Sequence, residues 1–111
     1  MALEKLEFTF QADPAEVSLP VEWSHTGVVG SGDLEILLER RKLNGKVVAK
    51  VVTPVKGFDG VWKYVIGRFV KEAQLKDTLI EINDNNATPF IVSLRLKQAL
   101  RQAMEEGAGN E

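Results

Sequence analysis

The sequence predicts an α+β fold, in which a mostly antiparallel sheet of four to five strands has two helices packed on one face. Three observations lead to this fold class. Leu34, Ile36 and Leu38 alternate with Asp33, Glu35 and Glu39, as in a strand with one buried face. Asn44-Gly45 is the strongest short signal for a turn between two strands. Apolar residues then recur at spacings of three and four over 58–73, which is typical of an amphipathic helix.

Five segments have the period or the composition of a strand. They are residues 6–10, 21–29, 34–38, 46–55 and 78–83. Because both residues of the Asn-Gly turn tolerate positive φ, the fourth segment is expected to pair back antiparallel onto the third. The Asp84-Asn85-Asn86 sequence is expected to close the fifth segment with a turn.

Two segments are predicted to be helical. The core stripe of the first consists of Phe58, Trp62, Val65, Phe69 and Ala73, and Asp59 is its expected N-cap. The second helix is expected over 89–105, because Thr88-Pro89 resembles an N-cap followed by proline at the first helical position. Residues 90–96 also alternate like a strand, so the sequence leaves the first half of this helix open.

Length and composition indicate one folded domain that covers 1–111. Apolar residues make up 44% of the 111, which is enough for one core and argues against intrinsic disorder. Within this domain, residues 1–20 are expected to form a variable N-terminal strand and loop. Residues 107–111 are expected to be a frayed tail.

Charge and hydropathy argue against two classes of partner. The 14 basic residues are scattered and are outnumbered by 16 acidic ones, so no basic face for nucleic acid is expected. No apolar run approaches the ~20 residues that span a bilayer. The N-terminus alternates in polarity and lacks the continuous apolar segment of a signal peptide. We therefore expect a cytoplasmic protein with neither a nucleic-acid nor a membrane partner.

The sequence offers little for catalysis by its own side chains. Its single histidine, His25, has no nucleophile and orienting group at a recognisable spacing. A zinc site is not expected, since the chain has no cysteine. The turn that begins at Asp84 lacks the distal glutamate of a calcium loop, and Trp62 fits the core stripe of its helix. No catalytic residue and no metal ligand are predicted.

The Gly30-Ser31-Gly32 sequence has two interpretations. It is a common composition for a flexible turn between strands. It could also hold a serine out at a hairpin tip, where the absence of side chains on both neighbours lets another protein approach the hydroxyl closely. No base accompanies Ser31 in the sequence, so a partner enzyme would have to activate the hydroxyl. That requirement is typical of a modification site.

Several segments of the chain resemble the acyl carrier subunit, or delta subunit, of malonate decarboxylase. The first is residues 27–35, with the sequence GVVGSGDLE, which resembles the segment that carries the prosthetic group in that family. Further matches follow in the same order at 57–63, 80–84 and 87–100. The resemblance covers roughly residues 25–105.

The resemblance implies a covalent cofactor on Ser31. In this family the matching serine carries 2'-(5''-phosphoribosyl)-3'-dephospho-CoA through a phosphodiester bond, and Gly30 and Gly32 flank it. The arm ends in a thiol, on which a malonyl thioester is decarboxylated to an acetyl thioester by partner subunits. The implied partners are the acyl transferase (alpha) subunit, the decarboxylase beta and gamma subunits, and the phosphoribosyl-dephospho-CoA transferase. The chain itself would be a non-catalytic carrier.

The chain departs from the family pattern at two places. Asn86 stands where the family often has glycine, although asparagine still tolerates the left-handed region. The N-terminal region, which includes Asp13-Pro14 and Leu19-Pro20, is longer than the resemblance leads us to expect. The Asp-Ser-Leu sequence that opens a helix in four-helix acyl carriers is absent, so a different fold is expected.

Three alternatives remain open at this point. The acyl carrier subunit of citrate lyase is similar in its C-terminal half and bears the same kind of group, but its modified serine lies nearer the N-terminus. The chain could instead be an unmodified interaction module that completes the surface of a partner. An independent enzyme is the weakest option, because no pair of base and nucleophile can be identified.

Overall fold

Residues 3–27 and 30–109 are described by a computed structural model of the chain. They form five strands and two helices in an α+β arrangement, which confirms the predicted fold class. In chain order, the elements are β1 (Glu4–Phe10), β2 (Trp23–Thr26), β3 (Asp33–Arg40), β4 (Val47–Thr53), α1 (Asp59–Ala73), β5 (Thr78–Asn85) and α2 (Pro89–Gly109).

The five strands form one mixed sheet in the order β1-β4-β5-β3-β2. All neighbouring pairs are antiparallel except β4 and β5, which are parallel. Helix α1 makes the crossover between these two strands, because a parallel pair cannot be joined by a tight turn. The second predicted strand, 21–29, is observed over Trp23–Thr26, and its residues 28 and 29 lie outside the described part of the chain.

The expected pairing of the fourth strand back onto the third is wrong, because β5 lies between them. The turn itself has the expected geometry, with positive φ at Asn44 (56°) and Gly45 (84°). The Asp77 carboxylate accepts the backbone N–H groups of Leu43 and Gly45 at 3.0 and 2.9 Å, so the turn is bound to the residues that lead into β5. The residues of β5 that face the helices, Ile80 and Ile82, are buried, whereas Glu81 and Asn83 on the opposite face are exposed.

The core lies between one face of the sheet and the two helices. Alternate residues of β3, β4 and β5 point into it, among them Leu34, Ile36, Ala49, Ile80 and Ile82, none more than 1% exposed. The opposite face of the sheet carries mainly polar side chains in the described strands. This arrangement is the expected one, with both helices on one face.

Helix α1 differs from its prediction at its first turn. Trp62 and Phe69 are buried as expected, together with Ile66 and Val70, whereas Phe58 is 49% exposed. Phe58 is the N-cap residue, and no side chain caps this end of the helix. Asp59 is therefore not the N-cap but the first helical residue, where its carboxylate still favours the helix dipole.

Helix α2 resolves the ambiguity over residues 90–96, which are helical. The Thr88 hydroxyl accepts the backbone N–H of Ile91 at 3.3 Å, which confirms the N-cap and the position of Pro89. The helix continues to Gly109, so it includes three residues of the segment that was predicted to fray. Residues 110 and 111 lie outside the described part of the chain.

The N-terminal loop, residues 11–22, packs on the rest of the domain. Ala12 and Leu19 are buried in the common core. Val17 forms an isolated bridge with Leu75, which lies just after α1. The carbonyl of Val17 accepts the backbone N–H of Lys76 at 2.8 Å. In the part of the chain that the structure describes, no helix has both the length and the apolar character needed to cross a membrane.

We predict that Gly27→Ala destabilises the protein more than Gly57→Ala. Both glycines have positive φ, 89° and 85°, where an alanine costs about 1–2 kcal/mol. A Cβ on Gly27 would also lie 2.6 Å from the carbonyl oxygen of Leu34, whereas one on Gly57 would meet nothing within 4 Å. Urea unfolding of the two variants measures the difference. Equal losses in the free energy of unfolding would contradict the close packing at Gly27.

Candidate functional site

Ser31 lies in the connection between β2 and β3 and is exposed to solvent. The carbonyl of Gly30 accepts the backbone N–H of Asp33 at 3.1 Å, which closes a four-residue turn around Ser31. Gly32, with φ of 75°, occupies the third position of this turn, where a type II turn needs a positive φ. The described part of this hairpin therefore has Ser31 in a tight turn, as one interpretation of the sequence expected.

The turn is attached to the end of the central strand. The backbone N–H of Gly32 donates to the carbonyl of Asn85, the last residue of β5, at 2.7 Å. Register agrees with this contact, since Asp33 pairs with Asn85 across β3 and β5. Ser31 therefore sits beside the connection that leads from β5 to α2.

The two glycines beside Ser31 leave open space. A Cβ built on Gly30 or on Gly32 would meet no other atom within 4 Å. The positive φ of Gly32 explains why glycine is favoured there, but packing does not exclude a side chain at position 30. The absence of both side chains keeps the surroundings of the Ser31 hydroxyl accessible to a large partner.

Asp33 holds the turn to helix α2 through Arg95. The guanidinium donates from Nε to Oδ1 at 3.0 Å and from Nη2 to Oδ2 at 2.8 Å, so the pair is bidentate. Asp33 Oδ1 also accepts the backbone N–H of Leu34 at 2.7 Å, and Arg95 Nη1 donates to Gln98 at 2.8 Å. Arg95 first and the Leu34 N–H second lower the pKa of the Asp33 carboxyl below its ordinary value.

A second cluster of polar side chains lies near the same hairpin, on the face of the sheet opposite the helices. His25 Nε2 lies 2.8 Å from Glu35 Oε2, and Asn83 Nδ2 donates to Glu35 Oε1 at 2.9 Å. The hydrogen bond from Asn83, and then that from His25, lower the pKa of Glu35. Among the described hydrogen bonds, the His25 ring contacts this carboxylate and no hydroxyl nucleophile.

Sequence reasoning placed Asp33 and Glu35 beside Ser31 but missed their partners. Arg95 is 62 residues away from Asp33, and Asn83 is 48 residues away from Glu35. Only the pairing of β3 with β5 and the packing of α2 bring them together. The sequence indicated only that Arg95 lies in a helix that packs on the sheet. It did not identify Asp33 as the partner of Arg95.

The turn that was expected over 84–86 begins only at Asn86, because Asp84 and Asn85 continue β5, where Asp84 stabilises the fold. Asp84 is buried, and its carboxylate accepts the Thr53 hydroxyl at 2.8 Å and the Ala87 N–H at 2.9 Å. Asn86 has a φ of 67°, the left-handed conformation that was expected of it.

Over residues 3–27 and 30–109, no group of three histidine, cysteine or carboxylate side chains could hold a metal ion.

We predict that Asp33→Asn lowers the melting temperature by a pH-dependent amount. Because the pKa of Asp33 is depressed in the folded protein, its ionised form stabilises the fold above the ordinary pKa of 3.8. This stabilisation is lost as the pH falls through the lower pKa of the folded state. The wild type should therefore melt higher than the variant at pH 7, with the difference vanishing in acid. Glu105→Gln, an exposed change on α2, is the control, and a difference that persists in acid would contradict the role of the Asp33 charge.

The comparisons with known proteins agree on one family. Residues 22–103 match the profile of the family described as malonate decarboxylase delta subunit (MdcD). A malonate decarboxylase acyl carrier protein from Malonomonas rubra is 51% identical over 102 residues, which are 91% of this chain and 89% of that protein. A second one, from Stenotrophomonas maltophilia, is 44% identical over 98 residues, 88% of this chain and 92% of that protein.

A solved structure agrees with the fold. One chain in the crystal structure of a Pseudomonas malonate decarboxylase hetero-tetramer in complex with malonate has a TM-score of 0.70 and 35% sequence identity. The match covers 93% of this chain and 99% of that chain. The identities and the coverage favour malonate decarboxylase over the citrate lyase alternative. The protein therefore belongs to the malonate decarboxylase delta subunit family and is an acyl carrier subunit of that multi-subunit enzyme.

Proposed function

We propose that Ser31 is the attachment point of a phosphoribosyl-dephospho-CoA arm, joined to the hydroxyl oxygen through a phosphodiester bond. The observation that carries this proposal is the exposed position of Ser31 in a turn between two glycines, at a fixed place on the end of the sheet. The group would supply a terminal thiol, which this cysteine-free chain lacks and which can hold malonyl and acetyl groups as thioesters.

The surroundings of Ser31 fit a large attached group. An exposed hydroxyl with open space on both sides can enter the active site of a transferase and then carry the arm without a clash. The hydrogen bond from Gly32 to β5 and the ion pair from Asp33 to α2 hold the base of the arm in place. Arg95 is occupied by Asp33 and Gln98, so its role is to hold the turn rather than to bind the phosphate.

In this proposal, the chain acts as a carrier and supplies no catalytic group of its own. None of the described hydrogen bonds joins the Ser31 hydroxyl to His25, whose ring contacts Glu35, so the base that removes the Ser31 proton would come from the phosphoribosyl-dephospho-CoA transferase. The acyl transferase (alpha) subunit would load malonate, and the beta and gamma subunits would remove carbon dioxide. A tethered arm would meet each of these sites at a high effective concentration. A cytoplasmic location remains a prediction from the sequence.

We predict that Ser31→Ala abolishes both arm attachment and complex activity. The methyl side chain has no oxygen to form the phosphodiester, while the exposed position makes the change nearly neutral for folding. Co-expression with the transferase, followed by intact-mass analysis and peptide mapping, measures attachment. Release of acetate from malonate by the reassembled complex measures activity. Ser18→Ala, an exposed change in the N-terminal loop, should keep both.

Two outcomes would contradict this proposal. If the Ser31→Ala variant keeps its activity and carries the arm on another residue, that residue and not Ser31 is the attachment point. A wild-type chain that is unmodified in an active complex would support the unmodified interaction module, whose binding to partners does not need the serine.

We further predict that Arg95→Ala slows arm attachment while Ser31 is still present. Without the guanidinium the turn loses its bond to α2, and a poorly held hydroxyl reacts about three- to tenfold more slowly with the transferase. Attachment rates, followed by mass, are compared with amide hydrogen exchange at residues 30–33, which should become faster. Arg101→Ala, an exposed change on the same helix, is the matched control. Unchanged rates and unchanged exchange in Arg95→Ala would contradict a positioning role.

A further inference from the structure

An apolar pocket of about 270 Å³ opens between the first turns of the two helices. Its apolar walls lie at the starts of α1 and α2, and polar residues that lead into α2, among them Asp84, Asn86 and Thr88, complete the lining. The apolar residues are mainly Phe58, Val61, Trp62, Val65, Pro89 and Val92. Phe58 and Val61 at its rim are 49% and 40% exposed, so the pocket is open to solvent. A concave apolar site with few polar groups is the usual form of a small-molecule site.

The pocket adjoins the turn that holds Ser31. Gly32 donates its backbone N–H to the carbonyl of Asn85, and the next residue, Asn86, lines the pocket. The Ser31 turn and the pocket thus contact neighbouring residues where β5 ends and its short connection to α2 begins. A long flexible arm attached at Ser31 can therefore fold back across this connection.

The polarity of the pocket selects between the states of such an arm. Asp84 lines it, and its carboxylate is already bonded to the Thr53 hydroxyl and the Ala87 N–H. Neither Lys nor Arg is among the residues that line it. A malonyl group carries a carboxylate, which would lose its hydration and approach Asp84 with no cation to offset the cost. A free thiol or an acetyl thioester is neutral and meets no such penalty.

We propose that this pocket binds the neutral end of the chain's own arm, as the thiol or the acetyl thioester, and excludes the malonyl thioester. The inference rests on the proposed attachment at Ser31. The volume is just below the ~300–1,000 Å³ of sites for drug-sized ligands, so only the end of the arm enters and the nucleotide part stays outside. When the arm is loaded with malonate, its end leaves the pocket and is free to reach the partner subunits. After decarboxylation, the neutral end of the arm returns to the pocket.

The test compares how fast hydroxylamine cleaves the acetyl thioester on the isolated carrier and in acetyl-coenzyme A. Hydroxylamine attacks the acetyl carbon, forms the hydroxamate and releases the thiol, which is measured. The carrier should react at least about threefold more slowly, because each buried methylene-sized group favours the pocket about fourfold. The malonyl thioester on the carrier should react as fast as malonyl-coenzyme A.

Pocket-filling variants identify the protecting site. Ala87→Leu places extra carbon atoms in the pocket and should raise the cleavage rate to that of acetyl-coenzyme A. Val61→Trp does the same from the exposed rim, in case the first variant fails to fold. Ala108→Leu, the same change as Ala87→Leu at the far end of α2, should keep the protection.

Intact mass separates the failure of this inference from the failure of the proposed function. A carrier without the arm on Ser31 contradicts the attachment itself. A carrier with the arm, whose acetyl thioester is cleaved as fast as acetyl-coenzyme A, overturns the pocket assignment alone. Protection that persists in both pocket-filling variants, with the folds intact, also overturns it.

Discussion

The position of strand β5 between β3 and β4 is the constraint on which the other features of this protein depend. A central strand must pair along both edges, and β5 does so with an antiparallel and a parallel neighbour. Its parallel edge requires the crossover helix α1, and its antiparallel edge aligns the start of β3 with its own end. The Ser31 turn, the turn at Asn86 and the start of α2 consequently lie at one end of the sheet.

The same end of the sheet combines rigidity with exposure. The Gly32 hydrogen bond and the Asp33–Arg95 ion pair fix the backbone around Ser31, while Ser31 is exposed and flanked by two residues without side chains. A carrier needs both properties, since a partner enzyme must reach the hydroxyl and the attached arm must start from a defined point. The charges beside the serine are paired within the chain, Asp33 with Arg95 and Glu35 with His25 and Asn83.

The β5–α2 connection joins this turn to the apolar pocket. Asp84 bonds to Thr53 on β4 and to the backbone of Ala87, and these bonds set the entry of the chain into α2. A single connection thus relates the site of attachment to the proposed binding site for the end of the arm.

Local features of this protein were determined by the sequence, because they depend on neighbouring residues. The strand periods, the positive φ of Asn44 and Asn86, the Thr88 N-cap and the resemblance around Ser31 are of this kind. Strand order and the pairs of distant residues were decided only by the tertiary structure. The Asn-Gly turn is compatible with a hairpin, yet β5 lies between its strands and forms backbone hydrogen bonds with both of them. Arg95 meets Asp33 across 62 residues for the same reason, since packing over such a separation leaves no local pattern.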